Sequence, residues 1–129
     1  FGLAFENNSG GYEIRNKYFK GAVGTKDITT IAKEKKKNEV VVFEGFMDFL
    51  SYLTIKPNTN KDFIILNSVA LVDKSIEVIK QYDDISLALD NDKAGDVATK
   101  KIIEHIPTAK DVRGYYKNFK DLNEFIKNK

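Results

Sequence analysis

The 129-residue sequence contains no cysteine, which excludes disulfides and thiolate metal sites within these residues and favours a cytoplasmic setting. Its single histidine, His105, falls late in a helical stripe, where an imidazole complements the negative end of the helix dipole. A Cys/His zinc cluster is therefore excluded from this stretch of chain. No apolar run approaches membrane-spanning length, and no signal-peptide pattern opens the chain. The first residue is Phe1 rather than Met, as in an excised domain or a processed product. Internal repeats are absent. Low complexity is confined to Lys35-Lys36-Lys37, read as a solvated connector.

What is present fits one globular domain with a real core: 42% of residues are hydrophobic and 12% aromatic. The net charge of +2 is unevenly spread. Residues 1–38 carry eight Lys/Arg against four Asp/Glu, and the remainder thirteen against fifteen. A basic front and a mildly acidic back suit a phosphate-facing surface beside a cation site, although lysines also serve simply to solubilise a surface.

The front reads as a β-hairpin, FGLAFE and GYEIRNKYF around an NNSGG turn. Alternation puts Tyr12, Ile14 and Tyr18 on one face of the second limb and Glu13, Arg15 and Lys17 on the other. KGAVGTKDITTIAKEKKKNE reads as a Gly- and Lys-rich loop ending in a short strand at DITTIA. From residue 39 strands alternate with helices. EVVVF, DFIIL and ISLAL are short apolar strands, as in a parallel sheet covered on both faces. Phe46, Phe49, Leu50 and Leu53 mark one helical stripe, and Val69, Val72, Ile76 and Ile79 a second. Ala94, Ala98, Ile102 and Ile106 mark a third, stopped by Pro107. A weaker strand near AKDVRGYY and an amphipathic DLNEFIKN complete the chain. The expected fold is α/β: a parallel sheet of about four strands flanked by helices over residues 39–129, preceded by a small β-hairpin subdomain over residues 1–38.

Ligands in such sheets bind beyond the carboxyl ends of the strands. Glu44 follows EVVVF there, and Asp90 and Asp92 follow ISLAL. Asp90 and Asp92 project to one side if the extended backbone continues. Gly45 lets the backbone turn past Glu44, and Asp48 lies one helical turn further on. An all-oxygen group of this kind suits Mg²⁺ or Mn²⁺. Each piece also has a plain structural reading: a turn at Glu44-Gly45, helix caps at Asp90 and Asp92, a polar helix face at Asp48. Independent capping, however, does not require carboxylates at two separate strand tips.

VVVFEGFMDFLSYL followed by ISLALDNDKAGDVATKKI resembles the paired signatures of the TOPRIM domain, a hydrophobic strand ending in Glu-Gly and another ending in Asp-x-Asp. The fuller Glu-Gly-x-x-Asp and Asp-x-Asp-x-Ala-Gly patterns resemble the bacterial DnaG-type primase branch. GGYEIRNKYFKG is similar to the segment that precedes TOPRIM in those primases, and the likeness extends to TOPRIM-like primase proteins of Bacteroidetes and their mobile elements. The resemblance implies that Glu44 is the catalytic acid/base or metal-associated glutamate. It implies that Asp90, Asp92 and Asp48 are metal-binding acids, joined by Asp121 of KDLNEFI. Asn123 stands where the family has a second aspartate in that segment, with Glu124 as a compensating acid. Further implications are metal-dependent nucleotidyl transfer making RNA primers on single-stranded DNA from nucleoside triphosphates, a replicative helicase as partner, and a zinc-binding module upstream.

Arg15, Lys17, Lys20, Lys26 and Lys93 are the candidate nucleic-acid or nucleotide-phosphate contacts. Tyr18, Phe19, Tyr115 and Tyr116 are either base-stacking or packing residues. The same acids also serve strand cleavage in topoisomerases and OLD-type nucleases, but a topoisomerase needs a tyrosine nucleophile on a further domain. A phosphoacceptor receiver domain shares the sheet type, yet it calls for an acidic pair where EVVVFEG has one Glu. A non-catalytic nucleic-acid-binding module of the same fold is the remaining alternative.

Overall fold

The computed structural model describes residues 2–32 and 38–129; the Lys35-Lys36-Lys37 run lies outside them. Strands β1 (Leu3–Glu6), β2 (Tyr12–Arg15) and β3 (Lys20–Val23) form an antiparallel sheet. After β4 (Thr29–Ile31), strand β5 (Glu39–Phe43) leads into helix α1 (Phe46–Ile55), followed by β6 (Asp62–Ile65) and α2 (Val72–Ile79). Strand β7 (Asp84–Ala88), α3 (Lys93–His105), the short β8 (Lys110–Asp111) and α4 (Leu122–Lys127) end the chain. The second sheet has the order β4-β6-β5-β7-β8, parallel throughout except for the antiparallel edge strand β4.

The apolar strands are buried on both faces, and alternation sorts their side chains. Val40, Val42, Ile64, Leu66, Ile85 and Leu87 pack against α2 and α3 through Ile76, Ile79, Ala98 and Ile102. Val41, Phe43, Phe63 and Ile65 face α1 and α4 through Phe46, Phe49 and Leu122. Burying a Phe or Ile side chain contributes roughly 1.5–3 kcal/mol, so this double layer holds β5 and β7 side by side and fixes where their tips end. Helix α3 stops at His105, just before Pro107. The His105 Nδ1 lies 3.0 Å from the Lys101 carbonyl oxygen, exposed and in the last turn as its position suggested. No helix among the described residues is long and apolar enough to cross a membrane.

One feature of the front differs from the sequence pattern, and a second is left open by it. KGAV, read as loop, is the third strand of the small sheet. Of the two faces of β2, the one that carries Glu13 is turned inward: Glu13 is buried at 9% exposure, whereas Tyr12 is 40% and Tyr18, beyond the strand, 88% exposed. Register explains the choice. Glu13 pairs with Phe5, and Phe5 stacks on Phe46 at 5.0 Å between ring centroids, so this face is the one pressed to the body. Sequence alternation finds the two faces of a strand but cannot say which one meets the rest of the protein.

Candidate metal and nucleotide site

Strand β5 runs out at Phe43 and β7 at Ala88, adjacent partners in register, so Glu44 and the Asp90 segment emerge together. The Asp90 N–H donates to Glu44 Oε1 at 3.3 Å. Asp92 has extended backbone and caps α3, its Oδ1 accepting from the Gly95 N–H at 2.8 Å. Asp48, in the first turn of α1, is 4% exposed and its Oδ1 accepts from the Asn123 N–H at 3.0 Å. Asp121 caps α4 through Oδ1 and the Glu124 N–H at 2.8 Å. One oxygen each from Glu44, Asp90 and Asp92 lie within 4.8 Å of one another, and so do oxygens of Asp48, Asp90 and Asp121. The two triads share Asp90. Glu124 belongs to neither and is exposed. Asn123 lines the cleft and accepts from Ser51 Oγ at 2.9 Å, so this departure from the acidic pattern is spent on bracing α4 against α1.

Crowded carboxylates in a half-buried cleft resist ionisation. Burial, then repulsion from Glu44, Asp48, Asp121 and Asp92, pushes the Asp90 carboxyl up to about 8. Burial and the charge of Asp121 push Asp48 up to about 7, against the Asn123 N–H and Arg15. Burial also raises Glu44, with Asp92 adding to the rise, while the Asp90 N–H, Lys20 and Lys120 pull it back. Asp90 Oδ1 is buried with no hydrogen-bond partner among the described residues. An orphaned carboxylate oxygen amid an all-oxygen donor set is what a divalent cation would satisfy, and these residues fit one.

The cleft itself, about 70 Å³, has room for a hydrated cation. Arg15 and Lys20, cross-strand neighbours on β2 and β3, line it opposite the acids together with Glu13. The other candidate cations stay outside. Lys26 pairs with Glu13 at 3.1 Å, Lys17 lies over the Tyr18 ring at 5.5 Å, and Lys93 lines a separate groove with Val97 and Lys101. Tyr18 and Phe19 are exposed, as is Tyr115, whereas Tyr116 is a packing residue at 3% exposure.

The glycines of the two motifs have different physical reasons. Gly45 is extended (φ −128°, ψ 159°), a conformation open to any residue, so the turn past Glu44 does not require it. A Cβ there meets nothing within 4 Å, and Gly45 lines the cleft. At Gly95 a Cβ would lie 2.0 Å from the Asp90 carbonyl oxygen, so only glycine lets α3 start this close to the acidic tip.

Asn67 and Arg113 shape the site without a sign in the sequence, and Tyr116, named there as a stacking or packing residue, makes a bond that the sequence does not show. Asn67, just beyond β6, has a φ of 66° and lines the cleft. Its N–H donates to the Glu44 carbonyl, and its Nδ2 to the Asp27 carbonyl and Thr29 Oγ1. Asparagine tolerates left-handed backbone, but nothing local marks this one. Arg113 donates to the Asp90 carbonyl at 3.2 Å while pairing with Asp96 and Asp111. Tyr116 donates to the Leu89 carbonyl at 2.7 Å. These are tertiary bonds with no spacing signature.

A family model described as Toprim-like matches residues 41–126, about two thirds of the chain. A domain of unknown function, DUF8464, matches residues 1–24. No curated protein matches the chain. Among solved structures, the primase fragment of the bacteriophage T7 primase-helicase protein superposes with a TM-score of 0.71 at 19% identity, over 98% of this chain and 57% of that one. A second match is to a structure of the bacteriophage T7 lagging-strand DNA polymerase interacting with primase domains of two subunits bound to an RNA/DNA hybrid and dTTP. Its TM-score is 0.57 at 18% identity, covering 85% of this chain and 63% of that one. The chain thus spans less than two thirds of either chain, and identities this low speak for the fold.

Proposed function

The chain belongs to the Toprim-like family, and from that membership we propose that it is the catalytic core of a primase-type nucleotidyltransferase, joining ribonucleotides on single-stranded DNA. The observation that carries this reading is the meeting of Glu44, Asp48, Asp90 and Asp121, four of the five acids of the two triads, with Arg15 and Lys20 around one cleft at the carboxyl edge of the sheet. Receiver-type chemistry has no use for that basic wall.

In this reading Glu44, Asp90 and Asp92, and Asp48, Asp90 and Asp121, hold Mg²⁺ or Mn²⁺. A cation bound there supplies charge neutralisation of phosphate oxygens and a lowered proton affinity at an attacking hydroxyl. The chain's own groups do the rest. Arg15 grips phosphate oxygens with a planar fork and Lys20 adds a compact charge, turning a triphosphate or the template backbone toward the acids. Glu44, at the β5 tip beside the Asp90 N–H, is the group assigned to take the proton of the attacking 3′-hydroxyl. Lys17, with the exposed rings of Tyr18 and Phe19, extends the surface along the β2–β3 turn, where bases stack. Lys26 and Lys93 contribute positive charge outside the cleft.

The division of labour follows residues 1–38 as the phosphate side and 39–129 as the metal side, even though β4 hydrogen-bonds into the larger sheet. A zinc-binding module and a replicative helicase are the proposed partners of the full-length protein. The test is incorporation of labelled nucleotides on a single-stranded template with Mn²⁺. Template-dependent products that vanish in Asp90→Asn are expected. Protein that binds Mn²⁺, nucleotide and template yet makes no product would reduce the chain to a binding module.

A further inference from the structure

The middle residue of the Asp-Asn-Asp tip has no role in the chemistry above, yet it is the most connected residue of the segment. Asn91 Nδ2 donates to the Tyr116 carbonyl and to the Phe119 carbonyl, each at 3.0 Å. Its backbone N–H donates to the Lys120 carbonyl. All three acceptors lie in the stretch that delivers Asp121, and all three bonds start between Asp90 and Asp92. From the other side, among the described residues, Asp121 is held through α4: its own cap on Glu124, the bond from the Asn123 N–H to Asp48, and the bond from Ser51 Oγ to Asn123 Oδ1. Those contacts fix Asp121 relative to α1. Toward β7, where Asp90 stands, the Tyr116 hydroxyl anchors only the start of the stretch on the Leu89 carbonyl, and the Asn91 bonds reach its far end at Phe119 and Lys120, next to Asp121.

We propose that Asn91 is a positioning residue that latches the Tyr116–Lys120 stretch to the β7 tip and thereby sets the distance between Asp121 and Asp90. The latch governs the Asp48–Asp90–Asp121 triad and leaves the Glu44–Asp90–Asp92 triad alone. The inference rests on the metal reading of the two triads. Its physical basis is that a ligand carboxylate carried on irregular backbone keeps its place only if that backbone's carbonyls are tied. Asn91 has both amide hydrogens committed to that purpose.

The experiment is calorimetric titration of Mn²⁺ into the wild type, Asp121→Ala, Asn91→Ala and the double variant, with hydrogen exchange on each metal-free protein. Asn91→Ala is expected to weaken the Mn²⁺ binding that depends on Asp121 by about 10- to 100-fold, the range for residues that orient metal ligands. The double variant is expected to bind no more weakly than Asp121→Ala alone. Exchange is expected to speed up at residues 117–121 and to stay unchanged along β5. If Asn91→Ala does not fold, Asn91→Ser, which also withdraws both side-chain bonds, takes its place.

Wild-type affinity in a folded Asn91 variant, or equal losses that simply add in the double variant, would overturn the latch while leaving the metal site standing. So would an Asp121→Ala protein that binds as the wild type does. A wild type that binds no Mn²⁺ would overturn the metal reading itself, and the latch with it.

Discussion

Replacing Asp90 by asparagine should make the metal-free protein more stable. The carboxyl is held at about 8 in place of its ordinary 3.8 by burial and by four neighbouring acids. At about 1.4 kcal/mol per pH unit, that difference amounts to roughly 5 kcal/mol against the folded state by pH 8. Water at the cleft mouth screens part of the repulsion and the other acids share it, leaving about 2 kcal/mol. The direction with pH follows from where each state holds the proton. Below about pH 4 both the folded and unfolded chains are protonated at this position and the penalty is absent. It grows as pH rises toward 8, because the unfolded chain gives up the proton first. Thermal denaturation in EDTA should therefore show Asp90→Asn melting about 7 °C above the wild type at pH 8, a spread that closes near pH 4. Saturating Mg²⁺ should reverse the order, since only the wild type gains binding energy. An Asp90→Asn protein that melts below the wild type at pH 8 in EDTA would refute the crowding argument.

Three further outcomes are expected. Arg15→Ala and Lys20→Ala should each weaken binding to single-stranded DNA and lower its salt slope by about one; Lys93→Ala, outside the cleft, should change the affinity less, as fluorescence anisotropy across a salt series will show. Gly95→Ala should cost about 3 kcal/mol in urea denaturation and impair Mn²⁺ binding, because its Cβ has no room beside the Asp90 carbonyl. Lys74 pairs with Asp27 at 2.7 Å; burial alone would raise that carboxyl, but Lys74, Ser9 and the Ile28 N–H hold it below its usual value. Lys74→Met should thus cost about 1 kcal/mol at pH 7, a loss that disappears as pH falls below about 4, where the pair contributes nothing to the wild type either.

Much of this protein was legible because local pattern and tertiary role coincide. The runs EVVVF, DFII and DISLA became the central strands because apolar residues on both faces have no other comfortable place. The pairing of Glu44 with Asp90 is legible because strand tips of a parallel sheet emerge at one edge. The front was harder. Strand β3 contains KGAV, whose glycine and lysine argue against a strand, yet β2 supplies the hydrogen-bonding partner that makes it one. Which face of β2 is buried lies outside the alternation within β2, because Phe5 decides which side meets the body. Asn67, Asn91 and Arg113 act through bonds to residues 23 or more positions away, and no spacing rule reaches them. Among the basic candidates, only Arg15 and Lys20 line the cleft. Charge counting finds a basic region, while register selects the members that face the acids.

The most direct test of the central claim is calorimetric titration of Mn²⁺ into the wild type and into Asp90→Asn, the residue common to both triads. The wild type should bind, and the folded variant should lose that binding altogether. Undiminished binding by Asp90→Asn would contradict the assignment of these carboxylates as a metal site.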